Sequence, residues 1–460
     1  MSNIKKTLAR KGDSWNESVE SPDPVTGHPV RRLTAAGYNE KPTYHTNTAF
    51  TADGEFMVFV SGRGDCSALM KAHLSTGRLT QLTEPVRGLV SRTNVHKLGT
   101  PRRVPGHGID GTRVCLAPRA RRAVFIQGRS LRTVHLDTLE ERTLLEDIGE
   151  DWLAGAVSID PAETEVIVPL IPAHPELKKG LPATHNYIPL FATSGGMRTR
   201  YLRIPLPGGT PQDVFVDDGR GSAHCPHCPT DGNLLLIDRD LPPKFWGGGD
   251  NGKTNRCWIL NLKTQVLTPI VPRNAQRFQV HACWTFDGLH VFYHGWRAEG
   301  GWYVGVADRQ GRIVHEYDFP EAVGYGHVAA DPKRQAIILD GNVTKDMLMW
   351  LYWDAEEPRL EPICRHGTEW DSLWHGLHDP HPAADPNGRW IAFNAAHDGR
   401  SDVYSLRASR SLFVVPRSKT TNHELRTGIE ANDISQFSTG KSIQENAPDV
   451  QTEKPQTVVH

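Results

Sequence analysis

Residues 49–62 read AFTADGEFMVFVSG, and this stretch decides the fold because its pattern recurs along the chain. An Asp-Gly turn leads into a run of β-branched and aromatic residues, which is typical of a tight turn entering a β-strand. Six further copies follow, with Asp-Gly, Asp-Pro or a substitute at the turn: CLAPRARRAVFIQG (115–128), SIDPAETEVIVPL (158–170), CPTDGNLLLIDRD (228–240), CWTFDGLHVFYHG (283–295), HVAADPKRQAIILDG (327–341) and HPAADPNGRWIAFNA (381–395). The repeat predicts seven equivalent hairpins.

Each hairpin is followed by a second pair of apolar segments with its own turn. Examples are LMKAHLSTGRLTQLTE (69–84) and CWILNLKTQVLTPIVP (257–272). Four short strands at intervals of 41 to 71 residues, seven times over, are typical of a propeller. The sequence therefore predicts an all-β fold, a seven-bladed β-propeller.

The last blade takes its outer strand from the opposite end of the chain. The seventh copy ends near Val415 without a fourth strand, whereas HPVRRLT (28–34) resembles the outer strand RLTQLTE of the first blade. We expect the N-terminal strand to close the ring and remove two exposed sheet edges. The predicted organisation is a flexible N-terminus (1–13), a propeller domain (14–416) and a polar, disordered tail (417–460).

The composition excludes several classes of function. With 460 residues and a net charge of −1, the chain has no overall attraction for nucleic acid or an anionic membrane, so we expect neither as a partner. No apolar run is long enough to span a membrane, and the first residues lack a secretory signal. The seven cysteines are scattered and odd in number, which indicates a reducing, cytoplasmic location.

Two other propeller classes lack their sequence signatures here. No Gly-x-Ser-x-Gly elbow or hydrolase domain follows the repeats, as prolyl peptidases would require. The Gly-His…Trp-Asp pattern of scaffold propellers is also missing.

The order and spacing of several segments resemble the oligogalacturonate lyases, a family of seven-bladed propeller lyases with relatives that cut ulvan. The similar segments span about residues 14 to 408: AFTADGEFMVF, LRTVHLDTLEE, EDWLAG, AHCPHCPTDGNLLL, NRCWILN, VHACWTFDGLHVFY and DPHPAADPNGRWIAF. The resemblance implies β-elimination at a uronate-containing oligosaccharide. A base removes the C5 proton, the 4-O group leaves, and a cation or arginine stabilises the carboxylate.

The resemblance places two candidate catalytic residues. His281 in VHACWTFDG stands at the family's catalytic base, and an imidazole can accept a proton near neutral pH. Arg256 in TNRCWILN matches the substrate-binding arginine, whose planar fork suits a carboxylate. The structural alternatives are a histidine that only bonds backbone and an arginine in a surface ion pair.

Three further catalytic candidates are drawn from the ulvan-cutting relatives. Tyr187 and Arg203 have a similar spacing to a Tyr and an Arg there, in the roles of acid or base at O4 and of carboxylate clamp. The alternative is a tyrosine packed in a loop and an arginine on a strand surface. His107 in VPGHGIDG is a weaker match to the partner histidine, which would fall near Gln127. His224 and His45 are also expected near the channel mouth, with no assigned role.

A metal site is predicted separately, from the register of the repeat. Counting four residues back from the repeat's Asp gives His227, Cys283, His327 and His381. Equivalent positions on neighbouring blades should face one region of the channel, and three imidazoles with a thiolate suit tetrahedral zinc.

The family resemblance implies manganese instead, held by three His and a Gln in and near a His-Pro-His-Pro motif. Here that motif reads Asp379-Pro380-His381-Pro382, and Gly376 stands at the Gln position. His378 and His375 are possible replacements. The expected cofactor is thus a divalent metal ion, either zinc or manganese.

Two alternatives to a uronate lyase stay open on the sequence alone. One is a non-catalytic carbohydrate- or protein-binding propeller that kept the fold and lost the chemistry. The other is a propeller glycoside hydrolase.

Overall fold

A computed structural model of the chain describes residues 7–36, 40–87, 108–172, 198–239, 256–271, 277–297, 299–319, 327–341, 346–353, 356–368, 380–397 and 400–409. Thirty-two β-strands form seven antiparallel sheets within these ranges. A short 3-10 turn at Arg63–Asp65 is the only helical element described. Among the described residues no helix is long and apolar enough to cross a membrane. The predicted seven-bladed propeller is confirmed.

The first three blades each place their first strand innermost. Blade 1 contains β4 (Glu40–Pro42), β5 (Phe56–Ser61), β6 (Cys66–His73), β7 (Arg78–Gln81) and, outside β7, β1 (Ser14–Asn16), with β8 (Val86–Arg87) beside β6. Blade 2 contains β9 (Ile109–Ala117), β10 (Arg122–Gln127), β11 (Ser130–His135) and β12 (Glu141–Leu145). Blade 3 contains β13 (Trp152–Ala154), β14 (Ser158–Ile159), β15 (Glu165–Pro172), β16 (Arg198–Pro205) and β17 (Gln212–Asp218).

The next three blades have four strands each. Blade 4 contains β18 (His227–Cys228), β19 (Asp231–Asp238), β20 (Cys257–Asn261) and β21 (Val266–Pro269). Blade 5 contains β22 (Arg277–Trp284), β23 (His290–Arg297), β24 (Trp302–Asp308) and β25 (Ile313–Phe319). Blade 6 contains β26 (Val328–Ala330), β27 (Ala336–Leu339), β28 (Met347–Tyr352) and β29 (Arg359–Arg365).

Blade 7 is completed by the N-terminal segment, as predicted. It contains β30 (Ala383–Ala384), β31 (Trp390–His397) and β32 (Arg400–Arg407), followed outward by β3 (Pro29–Arg32) and β2 (Val19–Pro22). β3 pairs antiparallel with β32, and Val30 lies opposite Leu406. Because β1 joins blade 1 while β2 and β3 join blade 7, one short segment ties the two ends of the ring together.

The core consists of apolar layers between neighbouring blades. In β5, Met57 and Phe59 pack toward blade 7, whereas Val58 and Val60 pack toward blade 2. Successive strand residues point to opposite faces, so a strand buried on both faces needs an unbroken apolar run. This accounts for the continuous hydrophobic segments of the repeat.

The cysteines, the N-terminal residues and the C-terminal tail each bear on a prediction from the sequence. None of the seven cysteines forms a disulfide, and six of them are buried. Within the segment expected to be flexible, the backbone N–H of Ala9 donates to Oε1 of Gln81 at 2.9 Å, and that of Gly12 donates to the Gln81 carbonyl at 2.8 Å. The tail, 417–460, lies outside the described residues, so the predicted domain limits remain predictions.

Candidate functional site

Imidazole rings from four blades meet in one cluster, and all but that of His294, which lies on β23, come from the first strands or from residues next to them. His327, just before β26, has its ring centroid 4.0 Å from that of His381, 4.3 Å from His281 and 4.8 Å from His45. His294 lies 5.4 Å from His281 on the same blade. These residues come from blades 1, 5, 6 and 7, so the cluster is built by the ring rather than by any one sheet.

Burial keeps the central histidines uncharged. It lowers the pKa of His281, His45 and His327 well below the ordinary value, and the neighbouring imidazoles lower it further. Desolvation disfavours the charged form, and a second positive charge nearby would disfavour it again. At neutral pH these rings are therefore bases and not acids.

Hydrogen bonds orient two of the rings. Nδ1 of His45 donates to the carbonyl of Val328 at 2.8 Å, and within the described part of the chain Nε2 has no hydrogen-bond partner. His327 is held by Asp340, whose Oδ1 accepts from the His327 backbone at 2.9 Å and whose Oδ2 is 3.3 Å from its Nδ1. Such carboxylate or carbonyl contacts fix the ring tautomer and direct the other nitrogen inward.

His381 adopts an unusual backbone conformation. Its φ is +45°, in the left-handed region that residues with a Cβ rarely occupy. Such positions cost on the order of 1–3 kcal/mol and cluster at functional sites. The ring of this residue lies against that of His327, with centroids 4.0 Å apart.

A pocket of about 280 Å³, counted with its open mouth, lies beside the cluster. Its polar lining comes from Tyr44, His45, Thr46, His224, Asp238, Arg256 and His281. Asp238, the last residue of β19, accepts from Arg256 Nη2 at 3.2 Å and lies 2.5 Å from His224 Nδ1. Burial acts to raise the pKa of Asp238, but Arg256 and His224 outweigh it and hold that pKa below its ordinary value.

Two of the predicted catalytic residues meet in this pocket. His281 and Arg256 both line it, and the Arg256 charge is one of the causes that lower the pKa of His281. Arg203 does not join them, because its guanidinium lies 3.1 Å from Glu165 on the neighbouring strand. Tyr187 and His107 lie outside the described residues.

The predicted four-residue metal set is only half assembled. His327 and His381 are adjacent, whereas His227 bonds Ser158 through Nδ1 at 2.8 Å and Cys283 packs in the apolar layer between blades 5 and 6. Burial raises the pKa of the Cys283 thiol to about 12, which disfavours a thiolate ligand. Among the described residues no three or more His, Cys, Asp or Glu side chains form a metal-binding group.

The register argument was wrong for a local reason. In blade 5 the backbone N–H of Thr285 donates to the carbonyl of His290, whereas in blades 6 and 7 Asp331 and Asp385 make the equivalent bonds to Ala336 and Trp390. Thr285, two residues before Asp287, therefore stands at the turn position of those aspartates. Counting four residues back from Thr285 reaches His281, which joins the cluster, whereas Cys283 faces the neighbouring blade. Asp379, His375, His378 and Gly376 lie outside the described residues.

Sequence reasoning missed three contributions to the site. Asp238 was not singled out, although a charged residue ending the apolar run of β19 was a usable signal. His45 and His224 were noted without a role. Tyr44, whose ring stacks on His224 at 4.5 Å and 8°, had no signal in the repeat pattern.

The fold is similar to that of solved lyase structures. An oligogalacturonate lyase in complex with manganese is similar at 18% identity and a TM-score of 0.69, over 87% of this chain and 98% of that one. An oligogalacturonate lyase from Vibrio parahaemolyticus is similar at 19% identity and a TM-score of 0.67, over 87% and 99% of the two chains. The sequence matches no protein-family model and no curated protein. The predicted structural resemblance is confirmed, and at these identities it establishes the fold.

Proposed function

We propose that the protein is a lyase that cleaves uronate-containing oligosaccharides by β-elimination. The observation that carries this proposal is that an uncharged imidazole, His281, and a guanidinium, Arg256, line one pocket. Elimination at a uronate needs both a base for the C5 proton and a positive charge for the carboxylate. The similar solved structures, both oligogalacturonate lyases, support a related substrate.

In this proposal His281 removes the C5 proton. Its lowered pKa keeps the ring unprotonated at neutral pH, so that it is ready to accept. Arg256 binds the carboxylate next to C5, and Asp238 orients its guanidinium through Nη2. As negative charge spreads from C5 onto the carboxylate, that ion pair strengthens, which favours the transition state over the ground state.

A divalent cation fits the chemistry of part of the cluster. Uncharged imidazoles are good ligands for such ions, and the adjacent His327 and His381 would hold one. When bound, the cation would add positive charge at the uronate carboxylate. Ligands beyond these two are not assembled among the described residues.

The reaction is tested by following the unsaturated product, which absorbs near ~235 nm, during incubation with galacturonate and other uronate oligosaccharides. Loss of a catalytic base lowers turnover by about 100- to 10,000-fold, so His281→Ala should reduce kcat with little change in binding. Arg256→Lys should raise KM and lower kcat, because a point charge does not reproduce a bidentate grip.

The matched control is His315→Gln, on the outer strand of blade 5, which should retain full activity. Binding of uronates without any unsaturated product would contradict the proposal and favour a non-catalytic binding propeller. A saturated product would favour a glycoside hydrolase.

Metal content gives a second readout. We expect His327→Ala and His381→Ala to reduce the stoichiometry of bound zinc or manganese in the purified protein. Cys283→Ser should leave it unchanged, because Cys283 lies in an apolar layer. Equal metal content in all four proteins would refute a site at His327 and His381.

A further inference from the structure

β-Elimination requires a second proton transfer, to the leaving oxygen. As the C5–H bond breaks, its electron pair forms the C4–C5 double bond and the C4–O4 bond breaks. The leaving sugar oxygen must then gain a proton, since a sugar alkoxide is a poor leaving group. A second group that already carries a proton can deliver it while His281 accepts the proton from C5.

The structure assigns this role to His224: we propose that His224, held by Asp238, is the acid that protonates O4. The assignment rests on the proposed lyase function. Nδ1 of His224 lies 2.5 Å from Oδ2 of Asp238, and the His224 side chain lines the same pocket as His281 and Arg256. In this dyad Asp238 is a positioning residue and His224 touches the substrate.

The hydrogen bond to Asp238 decides which nitrogen of His224 can act. Asp238 is deeply buried, with a side chain 9% exposed, whereas the His224 side chain is 19% exposed toward the pocket. A carboxylate is an acceptor only, so Nδ1 carries a proton and donates it. Nε2 is on the opposite edge of the ring and is the atom left for the substrate oxygen.

The two histidines are held differently. Nδ1 of His224 faces the carboxylate of Asp238, and the ring of Tyr44 stacks on the His224 ring with centroids 4.5 Å apart. Nδ1 of His281 has no hydrogen-bond partner among the described residues, and its ring lies beside other imidazoles. A carboxylate partner fixes the tautomer and orientation of a histidine, so His224 is the better placed of the two to present an N–H to the leaving oxygen.

Asp238 also links His224, the proposed acid, to Arg256, the residue proposed to bind the uronate carboxylate. The same Oδ2 that faces His224 accepts from Nη2 of Arg256 at 3.2 Å. One buried oxygen thereby fixes the relative positions of the group that binds the uronate carboxylate and the group that protonates the leaving oxygen. The elimination balances: His281 gains the C5 proton, His224 gives one to O4, and solvent restores both.

The decisive experiment varies the leaving group in the full-length protein. With a uronate disaccharide, His224→Ala should lose about 100-fold or more in kcat, as expected for removal of a general acid. With a 4-O-(4-nitrophenyl) galacturonide, whose phenolate leaves without a proton, the loss should fall below about 5-fold by the same argument. His281→Ala should lose activity equally on both substrates. An equal loss for His224→Ala on both substrates would overturn the assignment.

Asp238→Asn tests the positioning role. It should lower kcat on the disaccharide much more than on the 4-nitrophenyl substrate, because the His224 ring is no longer held for proton transfer and the phenolate needs no proton. The matched control is Asp217→Asn, which removes another buried carboxylate, one that accepts from Arg239 at 2.7 and 2.9 Å outside the pocket. That variant should keep the wild-type ratio of the two rates, and an equal change of this ratio in both variants would overturn the role of Asp238.

Nitrogen-15 spectra of the histidines separate this assignment from the lyase proposal. His224 should show the Nδ1-protonated form in the wild type, and this should be lost in Asp238→Asn but not in Asp217→Asn. If the dyad is present in the spectra but no uronate yields an unsaturated product, the lyase proposal fails and the catalytic role of His224 fails with it. If product forms but His224 has no Nδ1 proton, only the assignment of the acid fails.

Discussion

Arg63 is a fully buried arginine held between two buried glutamates at the seam of the ring. Its Nη1 and Nη2 donate to Glu17 at 2.9 and 2.6 Å, and its Nε donates to Glu40 at 2.7 Å. One guanidinium cannot neutralise two carboxylates, so one of them favours its protonated form. Burial raises the pKa of Glu40 to about 7, and the Glu17 charge adds to this, whereas Arg63 opposes it.

The raised pKa of Glu40 predicts how the stability of the protein changes with pH. Glu40 holds its proton more tightly when folded than its ordinary value of 4.5 implies. The stabilisation from that proton is complete below pH 4.5 and is lost as the pH rises to about 7. Relative to the wild type, Glu40→Gln should have similar stability near pH 5 and be more stable near pH 8, by at most ~3 kcal/mol.

Urea unfolding at a series of pH values measures this difference. Glu20→Gln, on the exposed strand β2, is the control for removal of a carboxylate and should show no such divergence with pH. A constant difference between Glu40→Gln and wild type from pH 5 to 8 would contradict the assignment.

The turns of the repeat show why single elements could be predicted. Asp385 accepts from the backbone of Asn387, Arg389 and Trp390 at 2.9, 2.6 and 2.5 Å. Asp and Asn bond their own following backbone in this way, so the signal is local and visible in sequence. The second copy lacks the Asp, and Glu163 of the next blade caps it by accepting from Arg119 and Ala120 at 3.0 and 2.8 Å. That substitute comes from a distant residue and was not predictable.

Disrupting the buried turn at Asp385 should lower the free energy of unfolding more than disrupting the partly exposed turn at Asp231. Asp385→Ala leaves three backbone donors without their acceptor at a fully buried position, for an expected loss of about 2–4 kcal/mol. Asp231→Ala, at a partly exposed turn that caps Asn233 alone, should cost less than about 1 kcal/mol. Urea unfolding of the two variants checks the order, and equal losses would show that the caps contribute little.

The candidate site was less predictable than the strands, for a reason seen at the level of elements. The hairpins follow from neighbouring residues, but the cluster depends on which turn positions are equivalent, and in blade 5 that position is Thr285 and not Asp287. Counting back from the Asp of the repeat gives His327 and His381, whose rings are adjacent, and Cys283, which lies in an apolar layer. The Asp238 pair with His224 and Arg256 joins residues 14 and 18 positions apart, and no periodic pattern encodes it.

At the scale of the whole molecule, seven apolar layers lie between the seven pairs of adjacent blades. The layer between blades 7 and 1 includes Trp15 and Leu33, and the layer between blades 6 and 7 includes Val30. The N-terminal segment thus contributes to two of the seven layers. Because the chain is not covalently closed, these contacts and the pairing of β3 with β32 hold the ring shut.

Closure of the ring and the candidate site depend on the same interface. His381 belongs to blade 7 and His45 follows the first strand of blade 1, yet their ring centroids are 6.4 Å apart. Val30→Asp puts a charge into the layer that holds β3, and we expect a loss of about 3 kcal/mol or more in the free energy of unfolding. Val19→Asp, on the adjacent strand β2 where Val19 is 52% exposed, should change it by less than about 0.5 kcal/mol.

The two variants also test whether the open ring disables the site before the chain unfolds. At a temperature where both remain mostly folded by circular dichroism, Val30→Asp should form the unsaturated product of the proposed reaction more slowly, and Val19→Asp should match the wild type. Val30 lies in the layer between blades 6 and 7, so a charge there loosens blade 7 and moves His381 away from His327 and His45, the imidazoles beside His281. Full activity per folded molecule in Val30→Asp would mean that the cluster is held by blades 5 and 6 alone and that the N-terminal closure serves stability only.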